Sequence, residues 1–123
     1  MKNLFIALLL FMFSFGANAQ RHEHISLIKL FSNAEKYEGK PVSVAGVLGR
    51  GRGDDNYVLY FDLGSQENAV RINSLIIVSD EETRKGLSEM CGKYVLVFGN
   101  FNGDAPRGLE SGMLVDVKRI GLY

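Results

Sequence analysis

The side chains of this sequence that could do chemistry are few, and their spacing suits recognition better than reaction. Its two histidines, His22 and His24, stand close to the amino end, and its one cysteine is Cys91. Nucleophilic catalysis needs a Ser or Cys whose proton passes to a positioned His, itself held by an acid. No histidine follows residue 24, so the body of the chain has no such base. A carboxylate pair acting across a cleft would have to come from Asp54, Asp55 and Asp62, and neighbouring aspartates in a turn ordinarily serve loop geometry. Gly49, Gly51 and Gly53 precede neither a helix nor a Lys-Ser/Thr pair, and the alternating Asp/Asn pattern of a calcium loop is absent around Asp54. The expectation is a non-enzyme with no catalytic residues and no cofactor.

Two constellations remain. The first needs the chain to be cut after Ala19. The new terminus would then read Gln20-Arg21-His22, and a third-position His can close a square-planar Cu(II) or Ni(II) site with the amine and two amides. Cyclisation of Gln20 would remove that amine, and the simpler reading of residues 20–25 is a flexible tail. The second is a set of donors for an anionic or sugar-like ligand: Arg50, Arg52, Arg71 and Arg107, with Tyr60 and Asn73. Arginine forks grip carboxylates and phosphates in pairs of hydrogen bonds, and a ring adds a stacking surface.

The elements that must position these residues begin after a predicted signal peptide. Lys2, the apolar core from Leu4 to Phe15 and Ala17-Asn18-Ala19 make a charged region, an apolar region and a cleavage site. The apolar run is shorter than the ~20 residues that span a bilayer. No cysteine stands directly after the cut to take a lipid. The reading is a periplasmic or secreted protein with no transmembrane segment after cleavage. Loss of 19 residues leaves 104 of the 123, enough for one domain over 26–123. Loss of Lys2 leaves 13 basic against 14 acidic residues, a balance unsuited to bulk binding of nucleic acid. Cys91 cannot form an internal disulfide and is expected to be buried, so a monomer must hold together by its core.

Ser26 can cap a helix whose apolar stripe is Leu27, Leu30, Phe31, Ala34 and Tyr37, plugging one barrel end. Strands are expected over 41–48, 57–62, 69–78, 93–101 and 112–120. A polar turn covers 64–68, and a helix of 80–90 is capped by Ser79 with Glu82 three residues on. The first and fourth strands echo each other. Gly39-Lys40-x-Val42-x-Val44-x-Gly46-x-Leu48 recurs as Gly92-Lys93-x-Val95-x-Val97-x-Gly99-x-Phe101, each shared residue 53 positions on. A glycine deep in a strand marks a bulge, a bend or a close backbone approach. A helix followed by β-β-β-α-β-β is the connectivity of the OB-fold, a mostly β, five-stranded Greek-key barrel.

These residues also carry a resemblance. Ser26 to Leu30, Asn33 to Lys40, Val42-x-Val44-x-Gly46, Leu59-Tyr60, Asn73, the Gly92 to Phe101 strand and Ser111-Gly112-Met113-Leu114 through Arg119 resemble a family of small, largely uncharacterised exported bacterial proteins. The resemblance spans nearly the whole mature chain and implies an OB-like barrel without assigning an activity. Many members carry a Gly-His pair in the last loop, where this chain has Ala105-Pro106-Arg107-Gly108. No role of that histidine carries over. In plan, though not in motif, the chain is similar to secreted bacterial OB-fold stress proteins. OB-folds usually bind across their second and third strands between two flanking loops. That face would present Tyr60, Arg71 and Asn73, with Arg50 and Arg52 on one loop and Arg107 on the other, provided that Tyr57, Leu59 and Phe61 pack inward. The function expected is an exported non-catalytic binding module for a protein, peptide or glycan. The alternatives are an oligonucleotide or polyanion binder working through the arginine loops, and an envelope metal or stress-response protein.

Overall fold

The computed structural model describes residues 21–51, 56–104 and 110–123. Strand β1 is Glu23–His24, β2 Pro41–Arg50, β3 Tyr57–Tyr60, β4 Ser74–Ser79, β5 Tyr94–Asn102 and β6 Met113–Leu122. The helices are α1 Leu27–Ser32, α2 Ala34–Tyr37, α3 Leu63–Glu67 and α4 Glu81–Arg84. Five strands close a barrel in the order β2-β3-β4-β6-β5, with β5 returning to β2. All neighbours are antiparallel except β4 and β6, which run parallel. This is the OB-fold topology that the element order predicts.

Strand β2 belongs to both halves of the barrel. Pro41 to Val47 pair with β5, and Val47 to Arg50 pair with β3. The strand must coil sharply between these partners, and its neighbours come close. A Cβ on Gly46 would lie 2.6 Å from the Tyr60 carbonyl oxygen, and one on Gly99 would lie 2.7 Å from Val117 Cγ2. The repeated glycine of the sequence echo therefore marks two places where the wall has no room for a side chain.

Alternation along the strands fills the interior. Val42, Val44 and Leu48 from β2, Tyr57 and Leu59 from β3, Val95, Val97 and Phe101 from β5, and Leu114 and Val117 from β6 share one core. Leu27, Leu30 and Tyr37 add to it from α1 and α2, as the helical stripe predicts. Ser26 caps α1 by accepting from the Lys29 amide at 3.2 Å. The helix breaks at Asn33, whose backbone leaves helical geometry (φ −132°).

Four other expectations shift. The flexible tail is in part a strand, since Glu23 and His24 pair parallel with Val42 and Ser43. The polar turn at 64–68 is helix α3, capped by Asp62 Oδ1 accepting from the Ser65 amide at 2.7 Å. The third barrel strand starts at Ser74, because Arg71–Asn73 form a 3-10 turn. Asp80, not Ser79, caps α4, which stops at Arg84 ahead of Gly86 and a second 3-10 turn, Ser88–Met90. Among the described residues no helix is long and apolar enough to cross a membrane.

Candidate functional site

On the expected face, alternation predicts the direction of Tyr60 correctly but not its exposure. Tyr60 points away from the barrel interior, with Val47 and Val58, into a second small apolar cluster. It is only 2% exposed. Gly49 makes room for it: a Cβ there would lie 2.6 Å from the Tyr60 ring and 3.1 Å from Gln66 Cγ of α3. The segment expected to be a polar turn has folded into a helix against this cluster. Phe61, expected inside, is 37% exposed.

The polar groups beside Tyr60 are occupied by one another. Arg71 Nε and Nη2 both donate to Glu110 Oε1, the former at 3.0 Å. The Glu110 side chain is 2% exposed and that of Arg71 24%. Asn73 Nδ2 donates to Ser65 Oγ at 3.3 Å, and Ser74 Oγ to the Arg71 carbonyl at 2.6 Å. Ser111 Oγ donates to the Ile72 carbonyl. Burial pushes the Tyr60 phenol up, with Arg71 opposing the shift and Glu110 adding to it. The cluster thus ties the 3-10 turn to the start of β6. Glu110, which sequence reasoning missed, takes up the arginine fork that was expected for a ligand.

Arg50 is exposed and separate from that cluster. Its guanidinium lies 5.4 Å from the centre of the Tyr57 ring, its cross-strand partner. It also approaches Cys91, which is half-buried and donates weakly to the Leu87 carbonyl at 3.8 Å. Burial pushes the Cys91 thiol up, and Arg50 partly offsets this. Arg52 and Arg107 lie outside the described residues, as does Gln20 of the suggested metal terminus. Both imidazoles are engaged. His24 Nδ1 is 3.1 Å from Ser43 Oγ, and the His22 ring meets Phe98 edge-on at 5.5 Å and 86°. No cluster of three metal-ligating side chains exists among the described residues.

A different wall presents unspent groups. The β5–β6 ladder shifts register between Phe98 and Asn100: Phe98 faces Arg119 while Asn100 faces Val115. Asp116, within the extra length of β6, adopts φ +53°. Such a bulge bends the strand and re-aims its side chains. It sets Asp116, Lys118 and Arg119 around Phe98, Asn100 and His22, lining an open groove of about 410 Å³. Arg119 Cζ sits 4.4 Å from the centre of the Phe98 ring. Asp116 and Lys118 make an exposed ion pair at 3.8 Å. Among the described residues no carboxylate pairs with Arg119. The sequence does carry a signal for the groove. Lys118 and Arg119 are consecutive charges after Val115 and Val117, which breaks the alternation of a regular strand.

No protein-family model and no curated protein matches the chain. Among solved structures, the hypothetical protein ygiW from E. coli is similar with a TM-score of 0.49 at 16% identity, over 84% of this chain and 90% of that one. A putative aspartyl-tRNA synthetase from Leishmania major Friedlin gives a TM-score of 0.50 at 13% identity, over 85% of this chain. This chain spans only 21% of the synthetase's length. That likeness is one of fold and carries no activity with it.

Proposed function

We propose that the protein is an exported, non-catalytic binding module. It takes a polar ligand (a peptide, protein or glycan) on the outer wall of its barrel, in the groove around Phe98 and Arg119. The observation that carries this reading is Arg119, held over Phe98 with no carboxylate partner among the described residues. A stacked guanidinium is oriented before any ligand arrives, so less freedom is lost on binding. The barrel interior is closed to ligands by its own side chains, with Val42, Val44, Leu48, Leu59 and Leu75 fully buried. The Ser43 hydroxyl beside His24 belongs to a residue only 4% exposed, which leaves no approach for a substrate carbonyl. Export rests on the Lys2, Leu4 to Phe15 and Ala17-Asn18-Ala19 pattern.

The test is a chemical-shift map of the chain from Gln20 onward, titrated with short peptides, glycan fragments and oligonucleotides at two salt concentrations. Saturable shifts on Phe98, Asn100, Lys118 and Arg119 are expected. Shifts on Arg50, Tyr60, Arg71 and Asn73 instead would return the site to the β3–β4 face. Oligonucleotide binding that falls steeply with salt would favour the polyanion reading.

A further inference from the structure

The ligand class of the groove can be argued from how its groups are already used. Resting on the proposed function above, we propose that the groove captures a carboxylate of a peptide. Arg119 supplies the fork: its guanidinium carbon lies over the Phe98 ring, 4.4 Å from the centre, and a guanidinium can meet a carboxylate in two parallel hydrogen bonds. Lys118 adds a second positive charge on the lining, and Asp116 removes one. The local surplus therefore suits a single carboxylate and disfavours a polyphosphate, which needs several cations in a row.

Phe98 also bears on the choice between peptide and glycan. Sugar rings are commonly held by packing their C–H faces on an aromatic face. Here Arg119 lies over the ring, so a sugar packing on that face would have to displace it. The remaining polar lining suits a peptide unit. Asn100 offers an amide that can donate and accept at once, and Asp116 can accept from a peptide N–H.

The test uses the chain from Gln20 onward with four probes: acetyl-trialanine as free acid, the same peptide as C-terminal amide, acetyl-Ala-Glu-Ala amide, and glucuronate. Saturable shifts at Phe98, Asn100 and Arg119 are expected with the free acid or with the glutamyl peptide. Which of these two binds tells a chain-end carboxylate from a side-chain one. The trialanine amide should bind at least about tenfold more weakly than the better acid, because it loses a charge-assisted pair. Arg119→Lys keeps the charge but loses the fork and should weaken binding roughly tenfold. Arg119→Gln should abolish it, and Arg50→Ala should leave it unchanged. Backbone amide dispersion checks that each variant is folded. Binding of the trialanine amide equal to that of the better acid, or an Arg119→Gln variant that binds like the parent, would overturn the proposal. Glucuronate shifting the groove when no peptide does would overturn the peptide assignment and keep the groove as the site. Shifts confined to other walls, or none with any probe, would overturn the carboxylate site itself.

Discussion

Gly46→Ala should be among the most damaging single-methyl changes in this barrel, because of what the methyl would meet. The added Cβ would lie 2.6 Å from the Tyr60 carbonyl oxygen and 2.8 Å from Leu59 Cγ. Leu59 can turn aside, but the carbonyl belongs to the backbone of β3 and cannot. Relief would require β2 and β3 to part by the better part of an ångström. Their pairing of Val47 with Tyr60 and Leu48 with Leu59 opposes that. Overpacking of this kind costs about 1–3 kcal/mol, against a gain of about 0.4–1 kcal/mol from the stiffer unfolded chain. A net loss of about 1–2 kcal/mol is expected. For a domain of this length that lowers Tm by about 4–16 °C. Gly99→Ala should cost less, since the closest atom there is Val117 Cγ2 at 2.7 Å and the nearest carbonyl stands at 3.0 Å. Gly121→Ala meets nothing within 4 Å and should stay within about 0.5 kcal/mol of the parent. Urea and thermal unfolding of the three variants with unchanged m-values would measure this series. Gly46→Ala unfolding with the parent, or Gly121→Ala falling as far as Gly46→Ala, would refute the reasoning.

Three further outcomes follow from the same structure. Arg71→Ala strands the Glu110 carboxylate, whose side chain is 2% exposed, and should cost about 3 kcal/mol in urea unfolding. The pair replacement Arg71→Met with Glu110→Leu should recover most of that loss, and failure to do so would mean that the ion pair itself stabilises the fold. Cys91, its thiol pushed up by burial, should react slowly with a disulfide reagent at neutral pH and much faster in denaturant; equal rates would contradict the burial. Hydrogen bonds from Ser65 and Thr83 hold the Asp62 and Asp80 carboxyls below their ordinary range. A folded-state value below the unfolded one means stability present above the unfolded range and lost as pH falls through the folded one. The deficit of Asp62→Ala and of Asp80→Ala should therefore shrink on acidification, and a deficit independent of pH would show that the caps act by something other than their charge.

The barrel was legible because its signals are local. Alternation marked the inward residues of β2 and β5, glycine marked the crowded points of the wall, and Ser26 with its apolar stripe marked the plug. The errors arose where a rival local cap won or where a partner distant in sequence overrode local preference. Asp62 and Asp80 outcompeted the expected turn and the Ser79 cap by accepting amides three residues on. Arg71 and Asn73 looked like the outward residues of a strand, yet they fold into a 3-10 turn whose side chains bond Glu110 and Ser65. Glu110 lies 39 residues from Arg71. No period or spacing within a single sequence could have paired them.

That distant pairing also bears on where a ligand can bind. A fold-level rule names the wall on which OB barrels usually bind, but the rule cannot tell whether the donors on that wall are free. Here Tyr60 lies against Gly49 and Gln66, Arg71 is held by a buried carboxylate, and Asn73 by a serine. A ligand arriving there would compete with a buried carboxylate for the same guanidinium, which reduces its net gain. On the β5–β6 wall the cost runs the other way. The bulge at Asp116 has already re-aimed the charges, and Phe98 already holds the Arg119 guanidinium in place. A carboxylate there exchanges water for a fork without displacing any protein partner among the described residues. The proposed ligand is therefore assigned to the wall whose arginine has no carboxylate partner among the described residues.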